Sequence, residues 1–93
     1  LPVIVDFTAD WCPPCRVLAP LYARLSDTYK GKLRFAEMDI DQNPLVAARM
    51  GIQGVPTLIL FVGGRAVGRI VGPHPGRLQP SIERLLVEAS AQV

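Results

Sequence analysis

Ninety-three residues, 49% of them hydrophobic and 19% charged, give one domain with a small core and carry too much apolar material for a disordered segment. The formal charge of +2 comes from ten Lys and Arg spread singly along the chain, which argues against a nucleic-acid partner. The longest apolar run, about Thr57 to Val62, is far short of the ~18 residues that would suggest a membrane span, so a single domain over residues 1–93 without a membrane segment is expected.

Pro2 to Phe7 is a β-branched and apolar stretch interrupted only by Asp6, and it reads as a central parallel strand buried on both faces. After a turn around Ala9 to Pro14, apolar residues recur at Leu18, Leu21, Tyr22 and Leu25, the spacing of an amphipathic helix that ends near Gly31 and that Pro20 should bend. Leu33 to Ile40 returns as a second strand. Asn43-Pro44 then offers an N-cap and a first-turn proline for a short helix that Gly51 closes. Thr57 to Val62 is a third strand, Gly63-Gly64 a two-residue hairpin turn, and Arg65 to Val71 its antiparallel partner. Leu78, Ile82, Leu85, Leu86 and Ala89 mark a final amphipathic helix, with Pro80 tolerable in its first turn. This order predicts an α/β fold: a mixed sheet of about four strands flanked by helices on both faces.

Trp11-Cys12-Pro13-Pro14-Cys15 falls where the buried strand gives way to a helix. Cys12 would sit at the helix N-terminus, where unpaired backbone N–H groups and the helix dipole favour the thiolate, the species that attacks disulfides. Cys15, one turn in, is close enough to form a ring with Cys12. A zinc site would want four ligands, and the chain has two cysteines and one distant histidine, His74, so no metal is expected. A purely structural disulfide across two residues would add little stability. Two inert buried cysteines remain the bland alternative, weighed against by the spacing, the flanking tryptophan and the helix start.

The segments Val3-Ile4-Val5-Asp6-Phe7, Ala9-Asp10-Trp11-Cys12, Cys15-Arg16 and Ala19-Pro20 resemble the active-site region of the thioredoxin family. The resemblance continues through Asp39 to Pro44, Gly51 to Leu58, the Gly63-Gly64 hairpin and Val71-Gly72, and so covers essentially the whole chain. It implies the thioredoxin fold, lacking the opening strand and helix of the longer family members. It also implies a thiol:disulfide oxidoreductase in which Cys12 is the nucleophile and Cys15 the resolving thiol. On the same resemblance Asp6 aligns with the buried aspartate that helps to deprotonate the second cysteine. Pro56 is then a cis proline facing the cysteines, with Val55, Pro56 and Thr57 contacting substrate, and Trp11 is an apolar contact surface rather than a core aromatic.

Three positions depart from the family pattern. Thr8 replaces a usual tryptophan, and Pro13 a usual glycine, so that Pro13 and Pro14 remove two backbone donors near the sulfur and stiffen the turn. Glu37 stands where a lysine is often found; it either raises the proton affinity of Asp6 or simply points to solvent. The resemblance further implies no bound cofactor, disulfide-containing protein substrates, and electrons from NADPH through a thioredoxin reductase. Two cysteines, both in the motif, agree with a cytoplasmic, reducing compartment. A monomer is expected, with dimerisation through a bare sheet edge as the other possibility. The rival readings are an extracytoplasmic oxidant or isomerase, and a non-catalytic binding module of a larger protein.

Overall fold

The computed structural model describes residues 1–91. Strand β1 (Val3–Thr8) is followed by helix α1 (Pro13–Thr28), strand β2 (Arg34–Asp39), the short helix α2 (Pro44–Arg49), the hairpin β3 (Thr57–Val62) and β4 (Arg65–Val71), a 3-10 turn at Pro75–Arg77 and helix α3 (Leu78–Ala91). The four strands form one mixed sheet in the order β2-β1-β3-β4, with β1 parallel to β2 and antiparallel to β3. Gly63 and Gly64 both take positive φ, 58° and 80°, which the tight β3–β4 turn requires and a side chain would resist. Helix α1 continues through Pro20 as one element.

Strand register sorts the side chains. Ile4 pairs with Phe35 and Leu60, and Asp6 with Glu37 and Leu58, so these residues share one face of the sheet. Helices α1 and α3 cover that face: Leu18 and Tyr22 of α1 and Leu78, Ile82, Leu85 and Ala89 of α3 close over Ile4, Leu58, Leu60 and Ile70 in one cluster. Helix α3 rides so near β4 that a Cβ on Gly68 would come within 2.8 Å of the Leu85 Cδ2 atom. Tyr22 Oη reaches the carbonyl oxygens of Ile4 at 2.9 Å and Ala36 at 2.8 Å, tying α1 to β1 and β2.

The opposite face is less covered. Phe7 and Ile59 are buried there, but Val3, Val5 and Phe61 are only half-buried. Toward this side lies α2, reached by Arg69, the register partner of Ile59, which donates to the Met50 carbonyl. The expectation of a strand buried on both faces therefore needs correction: β1 is closed on the α1–α3 side and partly open on the other. The apolar run carried no information about how many helices cover each face. The cap of α2 also differs. Asn43 occupies the N-cap, but its side chain makes no capping bond and instead donates to the Asp39 carbonyl at 3.0 Å. Asp39 itself draws the turn together by accepting from the Asp41 N–H at 2.8 Å. Among the described residues, no helix is long and apolar enough to cross a membrane.

Candidate functional site

Strand β1 delivers its chain to the C-terminal rim of the parallel pair, and α1 begins five residues later. Cys12 is the N-cap of α1, with extended backbone (φ −97°, ψ 108°) as a residue before proline prefers. Pro13 and Pro14 fill the first two helical positions and have no N–H. The first donor of the helix is therefore Cys15, whose N–H points at Cys12 Sγ over 3.2 Å. Cys12 and Cys15 are joined as a disulfide, with Cα atoms 5.3 Å apart. Exposure does not distinguish the two sulfurs, since Cys12 is 2% and Cys15 3% exposed. The helix N-terminus does: Cys12 alone has a backbone donor aimed at its sulfur, the arrangement that lowers the energy of a thiolate.

Cys12 Sγ also lies 3.6 Å from the carbonyl oxygen of Val55. The Val55–Pro56 peptide is cis, and Ile40 and Val55 pack against the cluster of Ala9, Cys12 and Cys15. Of the three loop residues, Val55 stays half-buried at the surface. Pro56 and Thr57 are buried, with the Pro56 carbonyl accepting from Gly72 N–H at 2.9 Å and Thr57 Oγ1 donating to the Gly54 carbonyl at 2.7 Å.

Trp11 is 62% exposed beside the cysteines, and its indole is held: Nε1 donates to Asp41 Oδ2 at 2.8 Å. Asp41 is a residue that motif reading did not single out, although it lies in the Asp39–Pro44 segment that carried part of the resemblance. With Pro13, Pro14 and Val17 also exposed, an apolar rim surrounds a buried disulfide. Arg16 ties the same rim to the loop, its Nε and Nη2 donating to the Asp10 carbonyl at 3.1 and 2.8 Å. Removing the indole's partner should free its rotation. An Asp41→Ala chain is expected to show faster tryptophan anisotropy decay, read cleanly because Trp11 is the chain's one tryptophan. Its KM for protein disulfides should rise roughly two- to tenfold with kcat little changed, the effect of having to order one more side chain on binding. An unchanged KM would mean that Trp11 does not meet substrate.

Asp6 lies under α1, two residues along β1 from Ile4 toward the cysteine loop, and is 2% exposed. Its Oδ1 has no hydrogen-bond partner, alone in this respect among the buried side-chain polar atoms of the described residues. Burial, and secondarily the charge of Glu37, pushes its carboxyl from the ordinary 3.8 up to about 7. Burial and the nearby Asp6 charge also push the Tyr22 phenol upward, so it stays protonated and able to donate. The role of Tyr22 was not legible from helical periodicity, which counted it only as apolar.

The thioredoxin family model matches residues 1–84. A thioredoxin of Synechocystis sp. is 45% identical over 75 residues, covering 81% of this chain and 70% of its own length. Thioredoxin M4, chloroplastic, of Arabidopsis thaliana is 43% identical over 89 residues, 95% of this chain and 46% of its own. A solved structure of Plasmodium falciparum thioredoxin superposes with a TM-score of 0.84 at 36% identity, over 89% of this chain and 80% of that one.

Proposed function

We propose a reaction sequence for this chain, which belongs to the thioredoxin family. It is a thiol:disulfide oxidoreductase. In the reduced form the Cys12 thiolate attacks a disulfide of a partner protein, forming a mixed disulfide at Cys12 and expelling one partner thiolate. Cys15, relieved of its proton by the Asp6 carboxylate, directly or through a water, then attacks Cys12 Sγ. That forms the Cys12–Cys15 disulfide and expels the second partner thiolate. Two electrons and two protons pass to the partner, which leaves with two thiols. Re-reduction runs the same exchange backwards from a dithiol donor, for which a thioredoxin reductase fed by NADPH fits the family; this chain needs no bound cofactor of its own. Trp11, Val55 and the Gly54 backbone receive the partner. Restriction of the cysteines to the motif favours a reducing compartment such as the cytoplasm, although one relative is named as chloroplastic.

The observation that carries this reading is the Cys15 N–H directed at Cys12 Sγ at the start of α1. It favours Cys12 as the attacking sulfur, with Cys15 left to resolve. The oxidant and binding-module readings are not favoured, since both cysteines are in place and the relatives are thioredoxins. A Cys15→Ser chain should accumulate a stable mixed disulfide through Cys12 when mixed with a disulfide-bridged protein, seen as a mass adduct that dithiothreitol removes. No adduct, or an adduct that forms equally on a Cys12→Ser chain, would overturn the assignment.

A further inference from the structure

The loop around the cysteines is short of main-chain donors. Pro13 and Pro14 have no N–H, which leaves as backbone braces the Cys12 N–H, on the Ala9 carbonyl at 3.2 Å, and the Cys15 N–H, on Cys12 Sγ. Arg16 adds a brace from its side chain. It is the fourth residue of α1, and its own N–H bonds the Cys12 carbonyl at 3.3 Å. Its side chain runs back toward the helix start, as long helical side chains do. There Nε and Nη2 both donate to the Asp10 main-chain carbonyl, at 3.1 and 2.8 Å, although Asp10 also carries a carboxylate. A bond to that carboxylate would hold only a side chain; this one holds the peptide that leads into Trp11 and Cys12. Arg16 thus closes the chain from Asp10 onward into a ring around the cysteine pair without using either sulfur. The Cys12–Cys15 disulfide closes a smaller ring inside it. Turnover opens the smaller ring and leaves the larger one.

Resting on the reaction proposed above, we propose that Arg16 is a positioning residue for it: its guanidinium keeps the Asp10–Cys12 segment in place while the disulfide is open, so that Cys12 Sγ stays at the Cys15 N–H. In the oxidised chain the clamp is redundant with the sulfur–sulfur bond. In the reduced chain it stands without that bond. Its loss therefore costs the reduced form more than the oxidised one, and a couple whose reduced form is less stable is the stronger reductant. The same loosening lowers the share of reduced chains poised for attack, so exchange with a partner slows. Two donors converging on one oxygen need the fork of a guanidinium; a lysine ammonium supplies the charge without the fork.

The test is the equilibrium of the Cys12–Cys15 couple with a glutathione buffer, read by thiol trapping and mass spectrometry, with melting temperatures of both redox forms beside it. Arg16→Gln and Arg16→Lys should each shift that equilibrium toward the oxidised chain by about three- to tenfold, or about 15 to 30 mV more reducing. Both should melt within about 2 °C of the parent when oxidised and about 3 to 10 °C below it when reduced. Both should also reduce a disulfide-bridged peptide about three- to tenfold more slowly, although they are the stronger reductants. Equal melting losses in the two redox forms would mean a purely structural contact and would overturn the proposal. So would an Arg16→Lys chain that keeps the parent's equilibrium, since charge alone would then suffice, or an equilibrium unmoved in both variants. Failure of the reductase reading itself would show separately, as a parent chain that leaves the peptide oxidised while its own couple still equilibrates with glutathione.

Discussion

A Cys12→Ser chain is expected to reduce protein disulfides at least about a thousandfold more slowly than the parent while unfolding at nearly the same denaturant concentration. The rate falls because a serine hydroxyl neither ionises near neutrality nor forms the sulfur–sulfur bond on which the exchange depends. The fold should survive for two local reasons. A serine oxygen at the N-cap can accept the Cys15 N–H as well as the sulfur does, and serine is a preferred residue there. The lost disulfide spans only two intervening residues, so it constrains little chain entropy. Paired turnover and urea-unfolding measurements separate the two effects. Retention of a tenth or more of the activity would remove Cys12 from the nucleophile's role.

The second large effect belongs to Asp6. Its carboxyl titrates near 7 in the folded chain and near its ordinary 3.8 when unfolded, so between these values the folded state holds a proton that the unfolded state has released. Stability must then fall as pH rises from about 4 to about 7 and level off above, because ionising a buried, partly unpaired carboxylate opposes folding. Three pH units of displacement correspond to about 4 kcal/mol at most. An Asp6→Asn chain has no such charge to bury. In the oxidised form it should match the parent near pH 4 and exceed it at pH 8 by up to about 4 kcal/mol in guanidinium unfolding. The gain should come with a loss: without the carboxylate, resolution of the mixed disulfide should slow by about 10- to 100-fold near neutral pH. A stability difference that does not change with pH would mean that Asp6 is already ionised in the folded chain.

A stability penalty of this kind is the pattern of a group kept for a task other than holding the fold. Ile4, Leu58 and Leu18 could accommodate an apolar residue at this position, yet the chain places a carboxylate beneath the helix that begins with the cysteines. Glu37 increases the penalty slightly from the sheet edge.

The sequence by itself determined the order of strands and helices, because each element carries its own period of apolar residues. Thr57–Val62 and Arg65–Val71 appear in the structure with the bounds their pattern predicts, and Gly63-Gly64 sits at the turn that needs positive φ. It also determined the reactive pair, since cysteine spacing, the prolines between and the helix start are all local along the chain. What only the tertiary structure decided depends on residues far apart in the chain. Trp11 meets Asp41 across 30 positions, and Cys12 meets the Val55 carbonyl across 43. Tyr22 turned from an apolar helix position into a clamp on two strands because its hydroxyl found carbonyls of β1 and β2. The uneven cover of β1 was likewise invisible in its run of valine, isoleucine and phenylalanine. Periodicity records which side chains avoid water; the register of one strand against another decides which of them meet, and that register placed Glu37 beside Asp6.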